Sequence, residues 1–228
     1  MNTLSKCCLC GQIAGDASND LFFRLVGEPE YVRRIPLESV HFAAVPSLGP
    51  LVLGHTLLCP KDHLKSFACL SARLDEEYYS FKYELRNLLH KVFKSPVHFF
   101  EHGMSKAGDR LLCTVDHAHL HLVPADVSIF DRIESYGVSL RPVESTLECL
   151  REEAGEKEYL FYEAPSGESF LLIPGGQPVE SQFLRKVFAE AVGRNINWNW
   201  RETPLPTDAE ECFLRLSAEA RGSDLGQL

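Results

Sequence analysis

The sequence has little that would suit a membrane or a nucleic acid polymer. No apolar run approaches the length of a membrane span, and residues 1–6 contain no apolar segment of the kind found in a signal peptide. The 23 Lys and Arg residues are outnumbered by 32 Asp and Glu residues, which gives a net charge of −9. Contact with many phosphates needs a basic surface, although this charge is compatible with a local basic pocket for one small phosphorylated ligand. We therefore expect a cytoplasmic protein that binds neither membranes nor nucleic acid polymers.

Disulfides are not expected either, because cysteines in the cytosol stay reduced. Among the eight cysteines, Cys7 and Cys10 have the C-x-x-C spacing of metal ligands, and Gly11 follows them as in a tight turn around a metal. A thioredoxin-like redox pair has the same spacing, but it lies between a strand and the start of a helix. We favour a metal site, for which one C-x-x-C supplies half of a tetrahedral set of ligands.

Three histidines alternate in one short run of the chain. His117, His119 and His121 are separated and followed by apolar residues, which is the pattern of a half-buried strand. Residues two apart on a strand share a face, so the three imidazoles line up with roughly 6 to 7 Å between neighbours. Such a row indicates a chemical role. The alternative is a polar strand edge or an adventitious metal-binding surface.

The patterns along the first half predict an α+β fold with one long helix against a mostly antiparallel, five-stranded sheet. Helical periodicity extends from about residue 74 to residue 93, and acidic residues lie at its start, where the helix dipole favours them. The five predicted strands are residues 22–25, 40–45, 55–59, 97–101 and 117–123.

The chain changes character near residue 125 and becomes mixed and acidic. We place a boundary there, between a catalytic domain of residues 1–125 and a C-terminal α/β extension of residues 126–228 that packs on it. The extension is predicted to contain a β-hairpin and two helices. The hairpin strands are residues 159–163 and 169–173, and the helices are residues 181–192 and 207–221.

Read with the segment Gly54–His63, G-H-T-L-L-C-P-K-D-H, the histidine run resembles the histidine triad (HIT) superfamily of nucleotidyl hydrolases and transferases. The resemblance covers roughly residues 7–125, and the C-x-x-C is similar to that of zinc-binding bacterial members. It implies a HIT-like fold with a structural Zn²⁺, for which Cys8 is an alternative ligand to Cys7. The implied ligands are Cys7, Cys10, His63 and His117.

The resemblance also implies a nucleophile. In this family a main-chain carbonyl holds the ring N–H of the middle histidine, so that the other ring nitrogen can attack the α-phosphorus. His119 is therefore expected to form a nucleotidyl-histidine intermediate, which water or another acceptor then attacks. His121 is expected to bind phosphate oxygens as the leaving group departs. Thr114 lies where hydrolases of the family have a serine or threonine near the phosphate.

Candidate phosphate donors lie in the loop of residues 103–110. They are Ser105, Lys106 and Arg110, although the same residue types are ordinary in a solvated connecting loop. Arg185, in the predicted helix before the two tryptophans, is a further candidate, because a cation beside aromatic rings can clamp a phosphate. The alternative is that the tryptophans pack the extension onto the core and the basic residues are solvated.

The chain departs from the family pattern at the ligand. Leu112–Thr114 stands where the hydrolases usually carry glycine, glutamine and then serine or threonine, and Glu101–Gly103 replaces an asparagine-glycine pair. The aspartate that many members use for the ribose is absent, which leaves Ser47 and Phe42 as candidate contacts to the nucleoside. We infer that the reaction class is kept, while the substrate can differ from the usual adenosine phosphoramidate.

The expected function is hydrolysis at a nucleotide α-phosphate through a covalent intermediate on His119. His121 favours hydrolysis, because the transferase branch of the superfamily typically has glutamine at that position. The alternatives are a nucleotidyltransferase or phosphorylase of the same superfamily, and a non-catalytic nucleotide-binding protein that uses the extension as an interaction surface. The resemblance further implies a homodimer that pairs across the helix and the sheet, unless the extension blocks or replaces that face.

Overall fold

One antiparallel sheet of seven strands forms the centre of the described fold. The structure is a computed structural model, and it describes residues 7–28, 30–105, 112, 115–175, 179–195 and 198–224. The strands lie side by side in the order β1-β2-β4-β3-β6-β7-β5. They are β1 (Phe42–Pro46), β2 (Thr56–Pro60), β3 (Val97–Gly103), β4 (Leu120–Pro124), β5 (Arg141–Val143), β6 (Tyr159–Glu163) and β7 (Ser169–Leu172).

Helices cover both faces of this sheet. They are α1 (Cys8–Ala14), α2 (Leu21–Val26), α3 (Asp75–Phe93), α4 (Phe130–Ser135), α5 (Leu147–Glu153), α6 (Phe183–Ala191) and α7 (Pro206–Asp224). The long helix predicted near residues 74–93 is α3, and the two helices predicted in the second half are α6 and α7. None of the helices in the described residues combines the length and the apolar character that crossing a bilayer requires.

Side chains of the strands alternate between two apolar layers. Phe99 and Leu122 belong to the layer that α3 and α5 cover. Their chain neighbours Phe100 and Val123 belong to the opposite layer, against α6. On that same opposite face, α1 covers Val45 and its neighbours at the β1–β2 side.

The predicted strand of residues 117–123 begins only at Leu120, so His121 lies on β4 while His117 and His119 lie in the segment before it. His121 shares a face of β4 with Val123 and therefore lies on the side of the sheet that α1 and α6 cover.

The first predicted strand is wrong, because residues 22–25 lie in helix α2. Asp20 caps this helix by accepting a hydrogen bond from the Phe23 N–H, and Gly27 ends it with a φ of 70°. These two local caps outweigh the short apolar run between them. The described part of residues 1–125 therefore contributes four strands to the sheet, and the other three come from the second half.

The predicted hairpin is present as β6 and β7, and it continues the sheet. β6 pairs with β3 from Phe99 opposite Glu163 to Gly103 opposite Tyr159. At this junction a Cβ on Gly103 would lie 2.2 Å from the Tyr159 ring. A glycine is therefore needed where the two halves of the chain meet. The prediction of a five-stranded sheet is corrected to seven strands in the described residues.

The order strand–helix–strand–strand occurs twice in the sheet. In the unit β2-α3-β3-β4 and again in the unit β5-α5-β6-β7, the last strand lies between the other two. Both α3 and α5 pack into the same apolar layer, and the two units meet where β3 pairs with β6. The second unit has no counterpart to the histidine run, since the chain has no histidine after residue 121.

Strand β3 has both of its edges paired within the chain, to β4 on one side and to β6 on the other. A homodimer stays a prediction. It cannot form through the edge of β3, and the strands at the ends of the sheet are β1 and β5.

We predict that Leu85→Ala lowers the free energy of unfolding by about 2 to 5 kcal/mol, because it removes buried methyl groups and leaves a cavity. Leu85 lies on α3 with 0% of its surface exposed. The matched control is Leu214→Ala on α7, where the side chain is 55% exposed and the expected change is within about 0.5 kcal/mol. Urea denaturation measures both. Equal effects would contradict the placement of the core against α3.

Candidate functional site

The four predicted metal ligands lie together at the start of α1. Cys7 is the N-cap of this helix, and Cys10 lies in its first turn. The ligand atoms of Cys7, Cys10, His63 and His117 all lie within 4.8 Å of one another. Cys10 Sγ is 3.2 Å from His63 Nδ1 and 3.3 Å from His117 Nδ1, and Cys7 Sγ is 3.6 Å from His117 Nδ1. A tetrahedral zinc ion separates a sulfur and a nitrogen ligand by about 3.6 Å, so these residues fit a four-coordinate ion.

The protonation of this cluster also suits a metal. His117 Nε2 lies 2.8 Å from the Pro60 carbonyl oxygen, which can only accept, so Nε2 carries the proton and Nδ1 presents its lone pair to the sulfurs. The hydrogen bond between the two cysteine side chains lowers the pKa of Cys7 to about 3 and raises the pKa of Cys10, so that one thiol of the pair ionises readily. Cys8, the alternative ligand, is not in the cluster and lines a cleft beside it.

One ring nitrogen of His119 is hydrogen-bonded, and the other has no partner among the described residues. Its Nδ1 lies 2.7 Å from the main-chain oxygen of His117. A carbonyl oxygen accepts only, so Nδ1 donates the proton and Nε2 keeps its lone pair. The backbone here is fixed in turn, because the Ala118 N–H donates to the Leu64 carbonyl at 2.6 Å. The arrangement gives the tautomer that a nucleophilic imidazole needs.

His121 is held in the opposite tautomer by a chain of hydrogen bonds. The Leu51 N–H donates to His55 Nδ1 at 3.2 Å, which places the proton of a neutral His55 on Nε2. That Nε2 lies 2.9 Å from His121 Nδ1 and donates to it, so the proton of His121 is on its own Nε2. The rings of His119 and His121 have centroids 4.8 Å apart. The site therefore pairs a bare nitrogen with an N–H donor.

Burial keeps these imidazoles neutral. It lowers the pKa of His119 to about 4, even though the hydrogen bond to the His117 carbonyl acts in the other direction. Burial likewise holds the pKa of His55 and of His121 well below 6.5. The positive charge of Arg185 adds to the lowering of the pKa in all three. At neutral pH the lone pair of His119 Nε2 is therefore available.

His119 and His121 line a cleft between α1 and α6 that encloses about 490 Å³ with its mouth. Its lining is mostly apolar, and among the described lining residues Arg185 is the sole arginine, lysine or carboxylate side chain. A mostly apolar cleft with a few convergent polar groups is typical of a small-molecule site. The lining residues are Cys8, Leu9, Gln12, Leu21, Val45, Pro46, Ser47, Leu48, Leu57, Val115, His119, His121, Arg185 and Trp200.

Of the predicted substrate contacts, Ser47 and Arg185 line the cleft, and Phe42 does not. Phe42 faces the other side of the sheet, where it stacks on Phe81 of α3 with ring centroids 6.1 Å apart. Side chains alternate along β1, so the strand sends Val45 to the cleft and Phe42 to the core. The prediction that Phe42 binds the nucleoside is therefore corrected.

Only residues 103–105 of the predicted phosphate loop lie within the described part of the chain. Ser105 is buried and is not among the described residues that line the cleft. Lys106, Arg110 and Thr114 lie outside the described residues.

Two buried histidines near the triad were not predicted as site residues. His55 supplies the hydrogen bond to His121, and its place in the G-H-T segment was the available signal. His102 accepts a hydrogen bond from the Leu184 N–H at the start of α6, at 3.1 Å, and burial lowers its pKa to about 3. It shares a face of β3 with Phe100, a period-2 relation that the sequence displays.

Part of the chain matches a known family model. Residues 35–137 match the family model described as "Protein similar to CwfJ C-terminal". This stretch contains β1 to β4, His55 and the histidine run, and it leaves out Cys7 and Cys10. No curated protein matches the chain.

Several solved structures are similar to about half of this chain. A HIT family protein from Bacillus subtilis is 24% identical, with 52% of this chain and 72% of that chain covered and a TM-score of 0.39. A Zn-bound histidine triad family protein from Mycobacterium smegmatis is 20% identical, with 54% and 77% covered and a TM-score of 0.40. A Hit-like protein from Bartonella henselae is 20% identical, with 47% and 80% covered and a TM-score of 0.35.

We predict that imidazole ¹⁵N spectra at pH 7 show His119 neutral with its proton on Nδ1, and His121 neutral with its proton on Nε2. Because the folded-state pKa of His119 is about 4, below the unfolded value of about 6.5, the unfolded state takes up this proton first. Protonation therefore destabilises the folded state as the pH falls from about 6.5 to about 4. His119→Gln and His121→Gln assign the signals, and a His119 proton found on Nε2 would contradict the geometry.

Proposed function

We propose that this protein is a nucleotidyl hydrolase of the histidine triad type, which cleaves its substrate at a nucleotide α-phosphate through a covalent intermediate on His119. The observation that carries the proposal is the tautomer of His119, whose Nδ1–H is bound by the His117 carbonyl while Nε2 is bare in a cleft. A neutral, oriented imidazole is a competent nucleophile at phosphorus. The histidine run of this chain lies within the stretch of residues 35–137 that matches a family model.

In the first step, His119 Nε2 forms a bond to the α-phosphorus as the bond to the leaving group breaks, and the leaving group takes the bonding electron pair. His121 presents Nε2–H to the phosphate oxygens and stabilises the charge that develops there. His55 keeps that donor in place through its own hydrogen bond to His121. In the second step, water adds to phosphorus, the P–N bond breaks and the lone pair returns to His119. The water proton leaves to solvent, and a nucleoside monophosphate is released.

We also propose that Cys7, Cys10, His63 and His117 hold a structural zinc ion. The donor set has the Cys2His2 composition of a closed site. When bound, the ion would tie α1 to the segment that precedes β4. Because α1 supplies Cys8, Leu9 and Gln12 to the wall of the cleft, the same four residues shape the substrate site.

We expect His119→Ala to lower turnover by about 10³-fold or more, because the covalent route is lost. The matched control is His90→Ala, an exposed histidine of α3 that hydrogen-bonds to the Ser95 carbonyl, and this variant should keep wild-type activity. The measurement offers a fluorogenic nucleoside phosphoramidate, dinucleoside polyphosphates and nucleotide sugars to each variant. A wild-type sample quenched in alkaline denaturant should contain the nucleotidyl adduct on the peptide of His119, because the P–N bond of such an adduct hydrolyses in acid.

Three outcomes would overturn parts of this proposal. Turnover that survives in His119→Ala would remove this residue from the nucleophilic role. Added phosphate or sugar phosphate in the product would identify a phosphorylase or transferase. Tight nucleotide binding with no turnover of any substrate would favour the non-catalytic function.

We expect purified protein to contain about one zinc ion per chain and Cys10→Ser to lose it, with a lower thermal denaturation midpoint, because zinc binding contributes directly to folding. Cys149→Ser is the control, since Cys149 lies on α5 outside the cluster. Elemental analysis and thermal denaturation measure the two effects. Protein without zinc under non-chelating conditions would reduce Cys7 and Cys10 to ordinary thiols.

A further inference from the structure

Arg185 is a buried cation that the second half of the chain places in the cleft of the first half. We propose that its guanidinium binds phosphate oxygens, so that the two halves together form the substrate site and the ligand must bring a negative charge into the cleft. This inference rests on the proposed function for the identity of the anion as a nucleotide phosphate.

The hydrogen bonds of Arg185 are all to neutral groups. Its Nη2 donates to the Gly49 carbonyl, and its Nε donates to the Trp198 carbonyl at 2.9 Å. No ion pair of Arg185 is present among the described residues, and its Nη1 has no acceptor there. The side chain is 3% exposed, so water compensates little of this charge.

A second buried arginine in the same chain shows what is missing. Arg34 is 0% exposed, and its guanidinium contacts the carboxylates of Glu28 and Glu210. Buried charges are ordinarily paired in this way, because removing an unpaired charge from water is costly. Arg185 lacks such a partner within the described residues, and an anionic ligand would supply it.

The charge of Arg185 persists at neutral pH. Burial lowers the pKa of its guanidinium to about 9, which still leaves the group protonated near pH 7. The described lining of the cleft contains no carboxylate that could neutralise it or repel an anion. A phosphate bound beside His119 and His121 would therefore meet a positive charge that the protein has already desolvated.

The backbone around Arg185 orients the guanidinium. Gly49 has a φ of 61°, and a Cβ on it would lie 2.6 Å from Trp200 Cα. The Gly49 N–H also donates to the Pro204 carbonyl at 2.6 Å. Only glycine fits between these segments. The tight contact keeps the Gly49 carbonyl hydrogen-bonded to Nη2. The remaining N–H groups of the guanidinium are left for a ligand.

The test compares the binding of each common nucleoside 5′-monophosphate with that of its parent nucleoside, by calorimetry on the full chain. In the wild type, the best monophosphate should bind at least about 10-fold more tightly than its nucleoside, and Arg185→Gln should remove most of this ratio, since a charge-assisted hydrogen bond contributes about 10- to 100-fold in affinity. Lys186→Gln is the matched control. It removes one charge from the next position of α6, where the ammonium pairs with Glu180, and it should keep the wild-type ratio.

Each outcome decides the proposal. A ratio near one in the wild type, or a ratio unchanged in Arg185→Gln, overturns it. Should Arg185→Gln not fold, Arg185→Lys is the second variant, because it keeps a positive charge without the planar guanidinium. It should bind the monophosphate more weakly than the wild type and the nucleoside with unchanged affinity. An Arg185-dependent ratio without turnover of any substrate would refute the hydrolase and leave this inference standing. Turnover together with a monophosphate-to-nucleoside binding ratio that does not depend on Arg185 would support the hydrolase and overturn this inference.

Discussion

The position of one proton on each imidazole decides what the histidine run can do. His117 donates Nε2–H to Pro60 and turns Nδ1 towards the cysteines, while its main-chain oxygen takes the Nδ1–H of His119. A single residue thus joins the cluster of Cys7, Cys10 and His63 to His119, the proposed nucleophile. Since a neutral imidazole has only one proton, a main-chain acceptor on one nitrogen leaves the other free. The site depends on these carbonyls as much as on the histidines themselves.

Burial sets the charges of the cleft. It disfavours the charged form of His119 and of His121, so the lone pair of His119 Nε2 stays available at neutral pH. The same burial leaves Arg185 charged, because a guanidinium starts from a far higher pKa. The result is a cavity with neutral nucleophilic groups and one desolvated cation, an arrangement that suits an electrophilic phosphorus surrounded by anionic oxygens.

The second half of the chain repeats the strand–helix–strand–strand order of the first without its histidines. Its strand β6 pairs with the edge of β3 that β4 leaves open. The chain then places α6 on the face of the sheet that carries the cleft. The cleft therefore takes its lining from both halves of the chain. The first half holds the histidines and the cysteines, while α6, which follows the second unit, contributes Arg185, and the segment after α6 contributes Trp200.

Local patterns determined α3, the hairpin, the period-2 histidine run and the C-x-x-C pair, because each depends on neighbours a few residues away. The further assignment of His63 and His117 to the same cluster came from the resemblance, since these residues lie 53 and 110 residues from the cysteines that they contact. Similar reasoning failed for residues 22–25, where two helix caps prevail, and for Phe42, whose face of β1 could not be read from a short strand. Only the tertiary structure decided the tautomers of His117 and His121, the continuity of the sheet and the burial of Arg185. Their partners lie 57, 66 and 136 residues away along the chain, and such contacts exist only after the sheet has brought distant segments together.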